Sequence, residues 1–269
     1  MRTIVAINIK GGVGKTSTVI NMAAILAMQG KQVLCIDADP QANLTQFFGI
    51  RDAEITCGGT TAELLDVGAE GRSDQVEDYI VETPIPGIQL IPSSIELIRA
   101  DIASAYRGGT VRAISDLIQA LRFEAVDAGE PAPYDYILID CPPSFTAASV
   151  AAIYAADDVI VPAQADAFSI SGLATLLRQI ESVRRIQPRV RVAGVLITQW
   201  HRTPAVCQGE AALRGSAVPV FDTVIRRSDK VTESIYMSQS LEDYSARSAA
   251  AQDYRKFVAE YLEEVERNG

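Results

Sequence analysis

Short apolar runs alternate with longer amphipathic segments along most of the chain. The apolar runs that predict buried strands cover residues 3–9, 32–37, 88–94, 134–140, 159–162, 192–198 and 221–225. Apolar residues at helical spacing predict helices over residues 19–26, 95–123, 146–156, 171–186 and 254–265. Strands that alternate with helices in this way form parallel sheets joined by right-handed crossovers. The predicted fold class is therefore α/β, with a doubly wound, mostly parallel β-sheet flanked by helices.

Two stretches interrupt this alternation. Residues 51–87 are acidic and rich in turn-forming residues, which predicts a surface loop with one short helix over residues 61–65. The pair Gly108-Gly109 lies inside the predicted helix of residues 95–123 and indicates a break there.

The last predicted helix, at residues 254–265, has one continuous apolar stripe and a mostly acidic opposite face. A helix that lies on a membrane surface has a polar face rich in lysine and arginine instead. We therefore expect this helix to pack on the protein core and predict no membrane partner.

Length and composition favour one soluble domain over residues 1–269. Of the 269 residues, 48% are apolar and 22% are charged, which is ordinary for an α/β domain. No run approaches the roughly 18 consecutive apolar residues of a membrane span, and no signal peptide or N-terminal helix-turn-helix extension precedes the first strand. These features predict a cytoplasmic protein.

Cysteine and histidine usage argues against two classes of site. Cys35, Cys57, Cys141 and Cys207 are scattered without a Cys-x-x-Cys motif, which predicts reduced and mostly buried thiols. His201 is the only histidine, which argues against a histidine-based triad or a zinc site.

A glycine-rich segment connects the first predicted strand to the first predicted helix. Its sequence is Lys10-Gly11-Gly12-Val13-Gly14-Lys15-Thr16-Ser17. Backbone N–H groups converge where a glycine turn opens a helix, and the helix dipole adds positive potential, so such a segment binds anions. In phosphate-binding loops of this kind, the lysine that corresponds to Lys15 reaches the β- and γ-phosphates. The hydroxyl that corresponds to that of Thr16 is a magnesium ligand. The segment therefore predicts a nucleotide site.

Aspartates stand at the ends of two predicted strands. Asp37 ends the strand at residues 32–37 and Asp39 follows two residues later, while Asp140 ends the strand at residues 134–140. Carboxyl ends of parallel strands lie on the ligand-bearing edge of a doubly wound sheet, so these carboxylates are expected beside the phosphates. We predict Asp37 and Asp140, together with Thr16, as the magnesium-binding residues. The spacing of Asp37 and Asp39 alone is equally compatible with a solvated turn.

Two later strand ends supply candidates for contacts to the nucleotide base. Thr198 and Gln199 end the strand at residues 192–198, and Ile225 and Arg227 lie at the end of the strand at residues 221–225. We predict all four as cofactor-binding residues, because they reach the same edge of the sheet.

Charge is distributed unevenly along the chain. The net charge is −10, but residues 178–230 hold ten basic and four acidic residues. Local potential decides the attraction of phosphates within a Debye length of about 8–10 Å, so a basic surface is compatible with the acidic total. A charge run is more often a solvated face than a binding site.

These segments resemble the ParA/MinD family of ATPases. The common phosphate-loop pattern has glycine at the position of Ile9, whereas this chain carries a second lysine, Lys10, as the deviant Walker A box of the family does. Residues 37–41, 90–93 and 134–144 resemble further motifs of the family. The resemblance extends from Arg2 to about residue 265. One departure is Arg226-Arg227-Ser228, where the family usually has proline-arginine-asparagine.

The resemblance implies a P-loop NTPase of the SIMIBI type with ATP and Mg²⁺ as cofactors. It implies that Lys10 reaches across a dimer interface to the partner's nucleotide and that Asp39 orients the attacking water. Lys10, Lys15 and Asp39 are therefore the expected catalytic residues.

The chain looks similar to the short, Soj-like ParA proteins. The resemblance implies an ATP-dependent sandwich dimer that coats DNA non-specifically and is released when a ParB-like centromere-binding partner stimulates hydrolysis. Arg202 and Lys230 match basic residues that Soj-like relatives use on DNA. The expected location is the cytoplasm, with association to the nucleoid in the ATP-bound form.

Other functions compete with partition. A MinD-like ATPase positions other cargoes, and a dethiobiotin-synthetase-like ligase shares the fold but needs neither Lys10 nor a basic surface. An iron–sulfur reductase of the nitrogenase type needs bridging cysteines. A pure DNA-binding module would not need the candidate hydrolytic acids, which are present here.

Overall fold

One eight-stranded sheet organises the chain in its computed structural model, which describes residues 1–50, 59–66, 73, 75–107 and 110–268. The strands are β1 (Arg2–Ala6), β2 (Val33–Asp37), β3 (Val81–Glu82), β4 (Ile88–Ile91), β5 (Tyr136–Asp140), β6 (Asp158–Ala163), β7 (Arg191–Trp200) and β8 (Val220–Arg226). Their order is β3-β4-β2-β5-β1-β6-β7-β8. Every neighbouring pair is parallel except β3 with β4. The predicted fold class is confirmed.

Helices cover both faces of the sheet. They are α1 (Lys15–Met28), α2 (Asn43–Phe47), α3 (Thr61–Leu65), α4 (Leu97–Arg107), α5 (Ala113–Ala128), α6 (Ala147–Ala155), α7 (Ala167–Arg184), α8 (Pro204–Arg214), α9 (Asp229–Tyr236), α10 (Leu241–Ser245) and α11 (Ala249–Asn268). Alternate residues of a strand point to opposite faces. Ile4 of β1 accordingly packs with α1 and α11, and Val5 packs in a second core with α5, α6 and α7. Burial on both faces explains the continuous apolar run in this strand.

The position of β1 in the sheet determines where a ligand can bind. It lies between β5 and β6, and from there the sheet continues to β2 on one side and β7 on the other. Ligands of doubly wound sheets bind at such a switch point, beyond the carboxyl ends of the strands. The glycine-rich segment leaves β1 at this point.

The region at residues 51–87 is only partly as expected. The short helix is confirmed as α3, whose N-terminus has a capping box between Thr60 and Glu63. Val76–Tyr79 forms a 3-10 turn that buries Val76 and Tyr79, and Val81–Glu82 is the antiparallel edge strand, so the prediction of a loop without regular structure is wrong for this part. Residues 51–58, 67–72 and 74, with Cys57 among them, lie outside the described residues.

The predicted helix at residues 95–123 is divided into α4, a 3-10 turn at Thr110–Arg112, and α5. Gly108 and Gly109, where the interruption was expected, lie outside the described residues. The prediction missed α8, which has only two branched aliphatic side chains, Val206 and Leu213, and buries only Gly209 and Leu213. A short, half-exposed helix of this kind has little hydrophobic periodicity to detect.

The C-terminal helix packs on the core, as its apolar stripe predicted. Tyr254, Phe257, Val258 and Tyr261 of α11 are fully buried against α1 and β8. Within the described ranges, no helix is both long and apolar enough to pass through a bilayer. Of the cysteines described, Cys35 and Cys141 are buried and free, whereas Cys207 is free but exposed.

Candidate functional site

The glycine-rich segment forms a loop that ends at the N-terminus of α1. Gly12 and Gly14 have φ angles of 69° and 87°, a left-handed conformation that side chains with a Cβ rarely adopt. Gly14 is the N-cap of α1 and supplies no side-chain hydrogen bond to the helix. The free N–H groups of the first turn therefore remain available to an anion.

A cavity of about 760 Å³ lies directly above this loop. Its walls come from the loop itself, the segment after β2, the ends of β7 and β8, α9 and one residue of α11. The predicted residues that line it are Gly11, Gly12, Gly14, Lys15, Thr16, Ser17, Asp39, Thr198, Gln199, Ile225 and Arg227. A volume in this range is typical of small-molecule sites.

Lys15 is buried, unlike Arg226 and Arg227, the other two cations among the described residues that line the cavity. Its side chain belongs to a residue that is only 7% exposed, and its Nζ lies 3.4 Å from the carbonyl oxygen of Lys10. Burial lowers the pKa of Lys15, and the charge of Asp140 opposes this effect. A buried ammonium group next to free N–H groups is complementary to a phosphate, which would restore its preference for the charged form.

Thr16, which lines the cavity, contacts the fully buried Asp140. The Thr16 hydroxyl donates a hydrogen bond of 2.6 Å to Asp140 Oδ2, while Asp140 Oδ1 is buried without a hydrogen-bond partner. Burial, and next the charge of Asp37, raises the pKa of Asp140 well above its usual value. An orphaned carboxylate oxygen beside a hydroxyl fits Mg²⁺, which prefers oxygen ligands and keeps several waters. The described residues contain no cluster of three or more acidic, histidine or cysteine side chains that could hold a metal ion alone.

Asp37 occupies a different environment from Asp140. It is fully buried, and its carboxylate accepts hydrogen bonds from the backbone of Asp39 and from the backbone and hydroxyl of Thr45. Burial raises the pKa of Asp37 to about 6, although the bonds from Thr45 oppose this effect. These contacts fix the loop that carries Asp39; a magnesium-binding role of Asp37 stays a prediction.

Asp39 lines the cavity itself. One of its carboxylate oxygens, Oδ1, accepts a hydrogen bond of 2.9 Å from the backbone N–H of Gln41. Asp39 as a whole is only 5% exposed. The structure thus brings Asp39, Lys15 and the glycine loop to one cavity, as predicted from their positions at strand ends.

Lys10 is not among the residues that line the cavity. Its Nζ lies 2.5 Å from Asp166 Oδ2, 3.1 Å from Gln164 Oε1 and 3.4 Å from Ser169 Oγ. The Lys10 side chain therefore contacts residues 164–169 and does not line the cavity.

The end of β7 is tied to the glycine loop. Thr198 Oγ1 donates a hydrogen bond of 2.7 Å to the carbonyl of Val13, whose side chain is fully buried. Gln199 Nε2 donates one of 2.6 Å to the carbonyl of Gly12. Both residues thus fix the loop as well as line the cavity.

Several cavity residues were missed by the sequence reasoning. The apolar wall beside Ile225 also contains Phe47, Val231, Ile235 and Tyr254. Only Tyr254 lies in a predicted element, and its place in the apolar stripe indicated core packing alone. The missed residues of α2 and α9 sit in helices of five and eight residues, which are too short for a periodic signal.

The two candidate DNA-binding residues differ in their surroundings. Arg202 is exposed, and its side chain has no partner among the described residues. Lys230 is held 2.6 Å from Glu233 and lies over the ring of Tyr244. Six of the ten basic residues in the window 178–230 have an acidic partner within 4.0 Å, namely Arg184, Arg189, Arg191, Arg214, Arg226 and Lys230. The charge count of the window therefore overstates the free positive charge.

Comparison with known proteins agrees with this site. A family model described as an AAA domain matches residues 1–192. The chain is 35% identical over 265 residues to the chromosome partitioning protein ParA of Caulobacter vibrioides, covering 97% of this chain and 94% of the relative. It is also 35% identical to the chromosome-partitioning ATPase Soj of Thermus thermophilus, covering 99% and 97%.

A solved structure of cobyrinic acid a,c-diamide synthase from Mycobacterium smegmatis, with bound ADP and magnesium, shares the fold. It has a TM-score of 0.81 and 28% identity, and the match covers 100% of this chain and 97% of that one. With the partition proteins similar over nearly their full length, the chain belongs to the ParA/Soj family of partition ATPases.

Proposed function

We propose that the chain is an ATP-driven DNA partition protein that dimerises around ATP, binds DNA non-specifically and leaves it after hydrolysis. One observation carries this proposal: the loop has two lysines, of which Lys15 lies in the cavity of its own protomer and Lys10 does not. A cation that does not line its own cavity can serve the cavity of a second copy once it leaves its partner Asp166. Dimerisation would then depend on the triphosphate, because the phosphate supplies the opposing charge.

The residues around the cavity have separate roles in holding ATP. The backbone N–H groups of residues 11–17, with Val13 and Ser17 among them, bind the phosphates at the N-terminus of α1. Lys15 neutralises the β- and γ-phosphates, and Ile225, Arg227, Thr198 and Gln199 border the base and ribose. Thr16 and Asp140 would hold Mg²⁺, which neutralises charge on the phosphates when bound.

Asp39 is the proposed residue for positioning water. Its carboxylate lies in the cavity, and the hydrogen bond from Gln41 restricts one of its oxygens. A carboxylate in this position accepts a hydrogen bond from a water molecule. This directs the lone pair of the water oxygen at the γ-phosphate. Turnover by the protein alone would be slow and would rise with a ParB-like partner.

DNA binding is proposed to follow dimerisation. Arg202 and Lys230 lie after the carboxyl ends of β7 and β8, and the exposed Arg227 lies three residues before Lys230. One protomer offers few cations, but a dimer doubles them on one rigid body and increases the effective concentration of the second set. Contacts to phosphates carry no sequence information, so the complex would coat the nucleoid in the cytoplasm.

Filter binding on two unrelated DNA duplexes tests this function directly. With ATP or a non-hydrolysable analogue the protein should bind both duplexes equally, and with ADP it should bind neither tightly. The logarithm of the binding constant should fall linearly with the logarithm of the salt concentration, by about 0.9 per phosphate neutralised. Equal affinity in ADP and ATP, or strong preference for one duplex, would contradict the proposal.

The competing functions predict different results when DNA binding and the oligomeric state are both measured. A cargo-positioning ATPase of the MinD type would dimerise with ATP but would not bind DNA. A ligase of the dethiobiotin-synthetase type would bind ATP as a monomer or constant dimer, and its oligomeric state would not change with the nucleotide.

A further inference from the structure

The six residues after β5 connect Asp140 to α6 and form part of the nucleotide cavity. This proline segment, residues 141–146, contains Pro142 and Pro143, and Pro143 lines the cavity. A Cβ placed on Gly11 would lie 3.9 Å from Pro143 Cβ, so the segment lies beside the start of the glycine loop. Its position therefore determines how closely the cavity surrounds the phosphate groups.

The proline segment is held at both of its ends. At the first end, the N–H of Cys141 donates a hydrogen bond of 3.3 Å to the carbonyl of Ala6 in β1. At the other end, Thr146 is the N-cap of α6 and its hydroxyl accepts a hydrogen bond from the N–H of Ser149. The Ser149 hydroxyl in turn donates one of 2.8 Å to the carbonyl of Ser144. A group that fixes the first turn of α6 therefore also fixes this end of the segment.

Asp101 of α4 binds this first turn from a different helix. Its Oδ1 accepts a hydrogen bond of 3.1 Å from the N–H of Ala148. The carboxylate also accepts hydrogen bonds from the N–H of Ala147 and from the hydroxyl of Thr146. Burial raises the pKa of Asp101, and these bonds oppose the rise because they favour the charged form. A negative charge at the N-terminus of a helix is also favoured by the helix dipole.

The Thr146 hydroxyl connects Asp101 to the cap of α6. A hydroxyl can accept one hydrogen bond and donate another at the same time. Thr146 accepts from Ser149 and donates to Asp101, so the carboxylate fixes the direction in which the hydroxyl points. Without Asp101 the hydroxyl can rotate, and the N–H groups of Ala147 and Ala148 lose their acceptor.

Helix α4 is a firm support for these contacts. Leu97 and Ala100 lie on either side of one helical turn before Asp101, and both are buried in the core that also contains residues of α5, α6 and α7. Pro143 and Ser144, in contrast, are exposed. Burial thus fixes α4, whereas the middle of the proline segment depends on the contacts at its two ends.

We propose that Asp101 is a positioning residue for ATP hydrolysis, which holds the first turn of α6 so that the proline segment stays beside the glycine loop. Asp101 does not line the cavity, so it acts through Thr146 and the segment and not on the nucleotide. The glycine loop and Lys15 do not depend on these contacts. Loss of Asp101 should therefore slow the chemical step and leave ATP binding nearly unchanged.

The variant Asp101→Ala tests this role by single-turnover hydrolysis and by calorimetry with ATP. The hydrolysis rate should fall about tenfold, because small displacements of positioning groups have effects of at least this size. The Kd for ATP should change by less than about twofold. A loss of ATP affinity as large as the loss of rate, or an unchanged hydrolysis rate, would overturn the proposal.

Thr203→Ala is the matched control for the loss of a helix cap. Thr203 is the N-cap of α8, its hydroxyl accepts a hydrogen bond from the N–H of Val206, and no residue of α8 lines the cavity. Both variants should lower the melting temperature by about 2–4 °C. Only Asp101→Ala should slow hydrolysis. An equal loss of rate in Thr203→Ala would show a general effect of destabilisation and would contradict the positioning role.

A double-mutant cycle tests the connection through Thr146. Thr146→Val removes the hydroxyl and keeps a side chain of similar shape. If Asp101 acts through this hydroxyl, the two changes should not be additive, and the double variant should hydrolyse ATP within about twofold of the rate of Asp101→Ala. A double variant slowed by the product of the two single effects would show that the residues act independently and would overturn this connection.

Hydrogen exchange measured by mass spectrometry tests the contact without turnover. In the nucleotide-free protein, the amides of residues 147 and 148 should exchange faster in Asp101→Ala than in the wild type. Asp101→Asn keeps one acceptor oxygen, so both its exchange and its hydrolysis rate should lie between those of the wild type and Asp101→Ala. Unchanged exchange in Asp101→Ala, or no recovery of rate in Asp101→Asn, would refute the role of these hydrogen bonds.

The inference rests on ATP hydrolysis in this cavity and does not depend on DNA binding. If the wild-type protein hydrolyses ATP and Asp101→Ala does so at the same rate, only the role of Asp101 is wrong. A wild-type protein that hydrolyses ATP but binds DNA equally in ADP and ATP would contradict the proposed function and leave the role of Asp101 intact.

Discussion

Gln199 Nε2 lies 2.6 Å from the carbonyl oxygen of Gly12, which joins the end of β7 to the middle of the glycine loop. Gln199 has a φ angle of 51°, an uncommon conformation for a residue other than glycine. Strained backbone of this kind persists only where surrounding contacts hold it. The loop with Arg202 begins after Trp200, so only a short segment separates the contact to the glycine loop from the proposed DNA-binding residue.

We expect Gln199→Leu to lower ATP affinity by about fivefold, because the Gly12 carbonyl loses a hydrogen bond worth about 1 kcal/mol. Isothermal titration calorimetry measures the change. Gln252→Leu is the matched control, since Gln252 also donates to a backbone carbonyl, that of Arg247, but on the outer surface of α11. Equal affinity in both variants would show that the contact does not support the loop.

Lys15→Ala and Lys10→Ala should separate the two lysines of the loop. Lys15→Ala should abolish ATP binding in calorimetry, because the cavity loses its buried cation. Lys10→Ala should keep most of the ATP affinity but lose the dimer that light scattering detects with a non-hydrolysable analogue. Retained ATP affinity in the first variant would refute the phosphate-loop assignment, and an unchanged dimer in the second would exclude a role in trans.

Asp39→Ala should bind ATP and dimerise normally but hydrolyse ATP at least about a hundredfold more slowly, as expected for loss of a group that positions water. Steady-state phosphate release measures turnover, and calorimetry measures binding on the same sample. Asp116→Ala, at an exposed position of α5, is the control for general effects of removing a carboxylate. Normal turnover in Asp39→Ala would assign the water to another residue.

Arg202→Ala should weaken DNA binding more than Lys230→Ala. Lys230 is paired with Glu233, so its attraction for phosphate is partly compensated, whereas Arg202 is exposed without a recorded side-chain partner. Loss of Arg202 should reduce the salt slope of each protomer by about 0.9 and leave ATP-dependent dimerisation intact. Arg185→Ala is the control, because this exposed residue lies before the amino end of β7, whereas Arg202 lies after its carboxyl end. A larger effect of Lys230→Ala would reverse the proposed order.

Asp158→Asn should destabilise the fold by about 3 kcal/mol at neutral pH, as expected when a buried ion pair loses one partner. Asp158 is fully buried and bonds to Arg2, Arg191 and the Tyr261 hydroxyl at 2.6–2.7 Å. Burial opposes ionisation, but these bonds together lower the pKa of Asp158.

The pH dependence of this effect has a definite sign. The pKa of Asp158 in the folded protein is below its unfolded value of about 3.9. Ionised Asp158 therefore stabilises the fold above about pH 3.9, and this stabilisation is lost as the pH falls below that value. The difference between wild type and Asp158→Asn in urea unfolding should therefore narrow as the pH falls below about 4. Glu264→Gln, which weakens the outer ion pair with Arg191, should cost under about 1 kcal/mol. A difference that widens in acid would contradict this account.

Local patterns predicted every strand except β3, most helices and the residues at the centre of the site. The glycine loop and Asp140 could be read directly, since strand, turn and helix follow one another within a few residues. The partner of Lys10 could not, because Asp166 lies 156 residues away and only the sheet order brings β6 beside β1. The free charge of the basic window was overestimated for the same reason: Arg191 and Arg226 pair with Asp158 and Asp253, which lie outside the window.

The position of Tyr254 in the cavity wall has a consequence for the timing of folding. Synthesis delivers the glycine loop first, yet the cavity also needs Ile225 and Tyr254. Tyr261 of the same last helix bonds to Asp158, which in turn holds Arg2 at the start of β1. A nascent or truncated chain that ends before α11 therefore carries every recognisable motif but lacks Tyr254, which lines its site. The last helix thus links completion of the chain to completion of the cavity.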